Sequence, residues 1–265
     1  MDTQLKQAQT DKYPTSQPLP SEAGESDQGA VMGFLDHLNE LRIRLTRALI
    51  GLTVTTGLSL IFADRLLAYL TLPYGDRLQT LGPTEGVVIY FRVALLSGGI
   101  LAIPYITWQM WMFIAPGLTR KERRWILLSL PATTLLFLIG VAFAWFILMP
   151  AALGFLSDFQ SNIFQAGWTA DQYVAFVTSL LFWIGASFET PLIFFILARM
   201  GLVGPRALRR NWRLAVIGAA VIAALITPTI DPFNMLLVMG PLLTLYALSI
   251  ILSGIAYRQG GFSED

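Results

Sequence analysis

Six apolar runs, each near the length needed to cross a bilayer, limit what this chain can fold into. A helix spanning the hydrocarbon core takes about 20 apolar residues. Runs of that kind lie near residues 45–63, 88–115, 124–149, 172–199, 212–227 and 233–252. Only 13% of the residues are charged and 55% are hydrophobic. A soluble domain carries about 25% charge, so there is too little polar surface here to cover a soluble fold. The expected class is an all-α membrane protein with six transmembrane helices. The second to fourth runs are long and are expected to tilt or kink. The fifth and sixth are expected to be short, joined by a tight hairpin at Thr227-Pro228-Thr229-Ile230-Asp231-Pro232, where two prolines stop any helix. Short spans thin the bilayer or tilt their neighbours.

Basic residues give the orientation, since Lys and Arg gather in cytoplasmic loops. One set of flanks holds Arg42, Arg44, Arg47, Arg120, Lys121, Arg123, Arg124, Arg199, Arg206, Arg209, Arg210, Arg213 and Arg258. The opposite flanks hold Arg65, Arg77 and Arg92. The bias alternates through all six spans and places both termini in the cytoplasm. Residues 1–31 are polar, without an early apolar run, and read as a disordered tail rather than a signal peptide. The membrane domain is expected over 32–254, with a second cytoplasmic tail at 255–265. Between the first tail and the first span, apolar residues recur at 34/35, 38, 41 and 45. That is helical period, with Asp36, Glu40 and Arg44 on a polar stripe, and it predicts an amphipathic helix at the cytoplasmic interface.

Catalytic signatures are missing. There is no Walker A sequence for nucleotide hydrolysis, no G-x-S-x-G, no H-E-x-x-H and no G-x-G-x-x-G. No Cys and one His leave no thiolate or histidine metal site, so neither a cofactor nor a metal is expected. Nothing points to nucleic acid.

A few polar residues stand out. Glu122 sits among Arg120, Lys121, Arg123 and Arg124. Thr119-x-x-Glu122 is also a capping box, in which hydroxyl and carboxylate pair with the first amides of a helix. Spacing alone leaves cap and site both open. Glu40 and Arg44 form an i,i+4 pair worth about 0.2–0.5 kcal/mol, yet Asp36 lies one turn earlier on the same stripe. Outside the tails, Asp36, Glu40 and Glu122 are the acids of the cytoplasmic flanks. A cationic peptide binding there would pair with them, and arginine best, because a guanidinium grips a carboxylate with two parallel bonds. Glu189 lies inside the fourth span, just before Pro191; an ionised acid there costs about 2.5–3.5 kcal/mol. It is either a packed acid bonded to another helix, with Gln109 the expected partner, or part of a polar site. Ala215, Ala219 and Ala223 recur every fourth residue on the fifth span, which lets a helix approach closely, from this chain or from a partner subunit. Asp231 reads as a turn or cap residue of the hairpin.

In order along the chain stand His37-Leu38-x-Glu40-Leu41-Arg42-x-Arg44-Leu45, Trp111-x-Phe113-Ile114-Ala115-Pro116-Gly117-Leu118 with Glu122-Arg123-Arg124, Phe146-x-x-x-x-Pro150, Ser187-Phe188-Glu189-x-Pro191 and Thr227-Pro228-x-x-Asp231-Pro232. Together they cover residues 33 to 252 and resemble the TatC family of the twin-arginine protein translocase. The resemblance implies a glove-shaped six-helix scaffold. It implies a receptor for signal peptides with paired arginines, in which Glu40 and Glu122 match the family's signal-binding glutamates. Asp36, Arg42 and Phe113 are expected beside them. It makes Glu189 the cavity glutamate and the fifth span a docking helix for single-span TatA-type and TatB-type subunits in an oligomeric complex. Folded cargo would move on the proton-motive force, in keeping with the missing nucleotide motif. The polar start favours a bacterial inner membrane over a thylakoid. After Asp231-Pro232 the chain reads Phe233-Asn234-Met235, where related chains continue with Thr-Gln, so no polar role is carried to 234–235. The competing class is a secondary transporter of a small solute or ion. That class predicts several polar residues within spans and two related halves, whereas Glu189 is the one clear intramembrane acid and no repeat is evident.

Topology is directly testable. A phosphatase that is active outside the cytoplasm should stay silent when fused after residue 265 and work when inserted between 150 and 171. The reverse pattern overturns the orientation.

Overall fold

The structure, a computed structural model, describes residues 22–75, 78–114, 120–158, 167–227 and 232–259. It divides into two compact units, Met1–Ile43 and Arg44–Asp265. The first unit holds the beginning of helix α1 (Glu22–Leu60). This helix starts inside the stretch expected to be a tail. Once a helix exists, each added residue brings its own hydrogen bond without a new nucleation step, and the Glu and Ala of this stretch are good helix formers. Leu35, Leu38 and Leu41 lie at helical spacing, each at least 42% exposed. Their apolar stripe is uncovered within its own unit.

The second unit contains the rest of α1, which breaks at Ile61 and Phe62 and bends by 76° into α2 (Ala63–Thr71). A tight turn at Leu72–Tyr74 ends on Gly75, whose φ of 79° suits glycine. Then follow α3 (Glu85–Ile114), α4 (Arg120–Phe143), a π-helical segment (Ala144–Leu148) and α5 (Met149–Asp158). After these come α6 (Ala170–Ser187), α7 (Thr190–Arg199), α8 (Pro205–Arg210), α9 (Trp212–Ile226) and α10 (Pro232–Gln259).

Four stretches are long and apolar enough to cross a membrane: Glu85–Phe113, Leu130–Asp158, Ala170–Arg199 and Pro232–Arg258. The bent α1–α2 pair makes a fifth if counted as one span, and Trp212–Ile226 is a shorter apolar helix. Two boundaries differ from expectation. The third run does not stop near 149 but continues through the π segment to Asp158. Pro150 explains it. A proline ring collides with the carbonyl four residues back, and the wider π turn just before it makes room. The sixth run is not short either, since α10 is 28 residues long. Its Ser249 and Ser253 are fully buried but donate to the carbonyls of Leu245 and Ile250, so they do not interrupt the helix.

Two tyrosines close helix ends left open by these breaks. A helix terminus leaves its last carbonyls without intrahelical partners, and hydrocarbon offers no water in their place. Tyr90 donates to the Leu60 carbonyl at 2.7 Å, where α1 ends. Tyr173, fully buried, donates to Leu70 at 2.8 Å near the end of α2. A third tyrosine, Tyr246 of α10, donates at 2.7 Å to the Leu208 carbonyl of α8, which also accepts from the Asn211 amide, and so ties α10 to α8.

Helix α6 is the hub. Tyr173, Val174, Val177, Leu180 and Ile184 are its fully buried side chains, and it packs on α3, α4 and α9. Its start is tied down on several sides. Thr169 caps it by accepting from the Gln172 amide, and the Ala170 amide donates to the Gln79 carbonyl at 2.8 Å. Arg92 of α3 pairs with Asp171 at 2.8 Å, and Tyr74, Trp168 and Tyr173 cluster within 6.1 Å of one another, centroid to centroid. Packing elsewhere relies on small residues. A Cβ placed on Gly98 would lie 2.5 Å from Thr56 Cα, and one on Gly51 2.5 Å from the Tyr105 ring. So α1 and α3 run antiparallel in close contact, as small residues permit in membranes.

Removing one hydroxyl tests the tyrosine closures. Tyr173→Phe strands the buried Leu70 carbonyl and should destabilise the detergent-solubilised protein by about 1–3 kcal/mol, read from its unfolding transition. An unchanged transition contradicts the role assigned to the hydroxyl.

Candidate functional site

The most unusual local geometry surrounds Glu189. Helix α6 ends at Ser187, and α7 starts at Thr190 with Pro191 in its first turn. Proline has no N–H to donate and crowds the carbonyl four residues back; here the chain makes a tight turn before it, with Pro191 in the first turn of α7. The Phe188 amide bonds to Ile184 and Gly185, and the Glu189 amide to Ala186. The Glu189 carbonyl accepts from both Leu192 and Ile193, which starts α7. Two glycines bring α4 against this break. A Cβ on Gly140 would sit 2.8 Å from Phe188 and 2.9 Å from Gly185 Cα; one on Gly185 would sit 2.9 Å from Phe137. Phe188 thereby packs on Phe143, 5.5 Å between centroids. Glu189 is left 9% exposed, with a buried Oε1 that has no hydrogen-bond partner among the described residues.

Gln109 does not supply that partner. It is buried, but its Oε1 accepts from Arg44 of α1 at 3.5 Å. The register explains why. Tyr105, one turn before Gln109, faces Gly51, and Arg44 lies two turns before Gly51. Gln109 therefore belongs to the α1–α3 contact. Two residues on, Trp111 is 2% exposed against Ile196 with a buried, unpartnered Nε1. The C-terminal half of α3 thus carries Thr107, Gln109 and Trp111 into the interior, and Thr133 of α4 is buried as well.

The other candidates are placed as follows. Asp36, Glu40 and Arg42 lie on α1 in the first unit; Asp36 and Arg42 are exposed and Glu40 is half-buried. In the second unit, Phe113 is half-buried in the last turn of α3, and Glu122 is the third residue of α4. The helix therefore starts where a cap at Thr119 would put it, while Thr119 and the capping contacts lie outside the described residues. Asp231 is outside them too. On α9, Ala219 and Ala223 are buried inside this chain and Ala215 is half-buried. Two members of the alanine stripe are thus used for internal packing, against α6 and α10. The outward face carries Leu214, Ile217, Val221 and Leu225, each at least 55% exposed.

Several positioning residues escaped the sequence reading. Arg92 counted only as a stray cation on the sparsely basic side. Yet a cation near the start of a span calls for an anion, and that anion is Asp171. Tyr90 and Tyr173 carry no local signal, because their acceptors are 30 and 103 residues away. Among the described residues no three His, Cys, Asp or Glu side chains gather as metal ligands would.

The chain is similar to known proteins along most of its length. The family model described as Sec-independent protein translocase protein (TatC) matches residues 36–241. The TatC protein of Deinococcus radiodurans is 36% identical over 229 residues, covering 83% of this chain and 85% of the relative. The chloroplastic TATC of Arabidopsis thaliana is 34% identical over 237 residues, 88% of this chain and 68% of that protein. A crystal structure described as the twin arginine translocase receptor TatC superposes with a TM-score of 0.78 at 35% identity, over 84% of this chain and all of that one.

The Glu189 carboxyl carries a testable consequence. An unpartnered buried polar group is unfavourable by about 1–3 kcal/mol, so Glu189→Met should leave stability unchanged or raise it by that amount. A loss of similar size in the unfolding transition would mean that the carboxyl is bonded within the chain.

Proposed function

The chain belongs to the TatC family of Sec-independent protein translocases, and from that premise we propose that it is the signal-peptide receptor of its translocase. It is a membrane protein and a transport component rather than an enzyme. In the proposed arrangement six spans leave both termini in the cytoplasm, and folded precursors present paired arginines to the cytoplasmic side. The related solved structure is described as a twin arginine translocase receptor, which supports the reading.

The observation that carries it is the scarcity of acid. Outside the tails, the flanks rich in Lys and Arg hold Asp36, Glu40 and Glu122 as their acidic residues. Two arginines need carboxylates, and a guanidinium bonds one bidentately while an ammonium does not. Glu40 and Glu122 are assigned to the arginines, with Asp36, Arg42 and Phe113 beside them. A capping role for Glu122 is compatible with this, because a carboxylate fixed at a helix start is already oriented for an incoming guanidinium. Glu189 acts after binding, as the polar point within the membrane. TatA-type and TatB-type subunits dock on α9 through Leu214, Ile217, Val221 and Leu225, since Ala219 and Ala223 are already covered. Energy comes from the proton-motive force, and the setting is a bacterial inner membrane.

Crosslinking of a twin-arginine precursor tests the receptor assignment. Glu40→Ala combined with Glu122→Ala should abolish crosslinks to the cytoplasmic face, whereas Glu189→Ala should keep them and block export. Unchanged crosslinking in the double variant overturns the reading.

A further inference from the structure

An apolar groove of about 180 Å³ lies between α2, α3, the π segment and α6. Leu66, Tyr69, Leu96, Val141, Trp145 and Leu181 form most of its wall. Ser97 also lines it, but its hydroxyl donates to the Val93 carbonyl at 2.9 Å and offers the groove nothing polar. The groove opens from the membrane-spanning part of the chain. A groove walled by apolar side chains suits a flexible hydrocarbon chain.

The mouth has the chemistry of a headgroup site. Tyr69 is 50% exposed and stacks on Trp145 at 4.9 Å, and such aromatic residues favour the boundary between acyl chains and headgroups. Arg65 is exposed and stands one helical turn before Tyr69, on the same side of α2. Its neighbour Asp64 projects about 100° further round the helix. The π segment contributes in a second way. By widening the helix ahead of Pro150 it turns Phe146 and Ile147 outward, 70% and 57% exposed, and leaves Trp145 on the groove side.

We propose that this groove holds one acyl chain of an anionic phospholipid, with the phosphate on Arg65. The lipid fills the gap between α2 and the helices behind it and ties the bent segment to the bilayer.

Trp145 reports on the site. The full chain would be placed in phosphatidylcholine nanodiscs with a small fraction of phosphatidylglycerol brominated on its acyl chain. With seven tryptophans present, the Trp145 signal is taken as the difference from Trp145→Phe. Brominated phosphatidylglycerol should quench it at least twofold more than brominated phosphatidylcholine at equal fraction. Arg65→Gln, a change at an exposed position, should erase that preference, and Leu96→Phe should weaken quenching by both lipids. Equal quenching by the two lipids, unchanged by either substitution, means bulk contact only and overturns the proposal. Protection of Trp145 from both lipids, as a second copy or another helix on the groove would give, overturns it too.

Discussion

A backbone carbonyl released at a helix break inside a bilayer has no water to bond. The architecture is arranged around that constraint. Helix α1 breaks before α2, and α6 breaks before α7. At the α1 and α2 ends a tyrosine from another helix supplies the missing donor. Each such bond also fixes the position of two elements, so the closures set the spacing of the bundle as well as its hydrogen bonding. The hub helix α6 illustrates the coupling. Its Tyr173 closes α2, its Asp171 holds Arg92 of α3, and its Gly185 lets α4 approach until Phe188 packs on Phe143. The close contact with α4 in turn buries Glu189 at the next break. An acid that would be unfavourable anywhere in the span sits where the backbone is already irregular.

The apolar helices and their order were legible in the sequence because hydrophobic length is a direct measure of bilayer thickness, with four of them long enough to span, or five if the bent pair is counted. Their ends were less so. The π segment before Pro150 and the continuation of α10 to Gln259 depend on local geometry and on serine hydroxyls bonded within their own helix. Neither leaves a mark in hydropathy. Glu189 was legible as an isolated intramembrane acid, but its partner was not. Gln109 is the right kind of residue, and only the helix register shows that it faces Arg44. The alanine stripe on α9 told of a close helix approach without saying from which side. Burial of Ala219 and Ala223 answers that and turns attention to the leucine, isoleucine and valine face.

The same register logic gives the receptor reading its physical content. A scaffold held together by small-residue contacts and buried closures can keep carboxylates fixed at its surface, so that an arriving arginine loses little of the pairing energy to reordering. Charge alone would accept lysine as readily. Selectivity for arginine follows from the planar, bidentate geometry, and that requires a carboxylate of settled orientation. A helix start, as at Glu122, is a suitable place for one.

The measurement that tests this most directly is a double-mutant cycle between Glu122→Gln and the replacement of the signal peptide's two arginines by lysines. Affinity would be read by titrating peptide against the full-length membrane-embedded chain. If Glu122 holds a guanidinium through charged hydrogen bonds, the two changes should be non-additive, with a coupling of about 1.5–3 kcal/mol. Purely additive losses would mean that Glu122 caps its helix and touches no arginine, and would contradict the account.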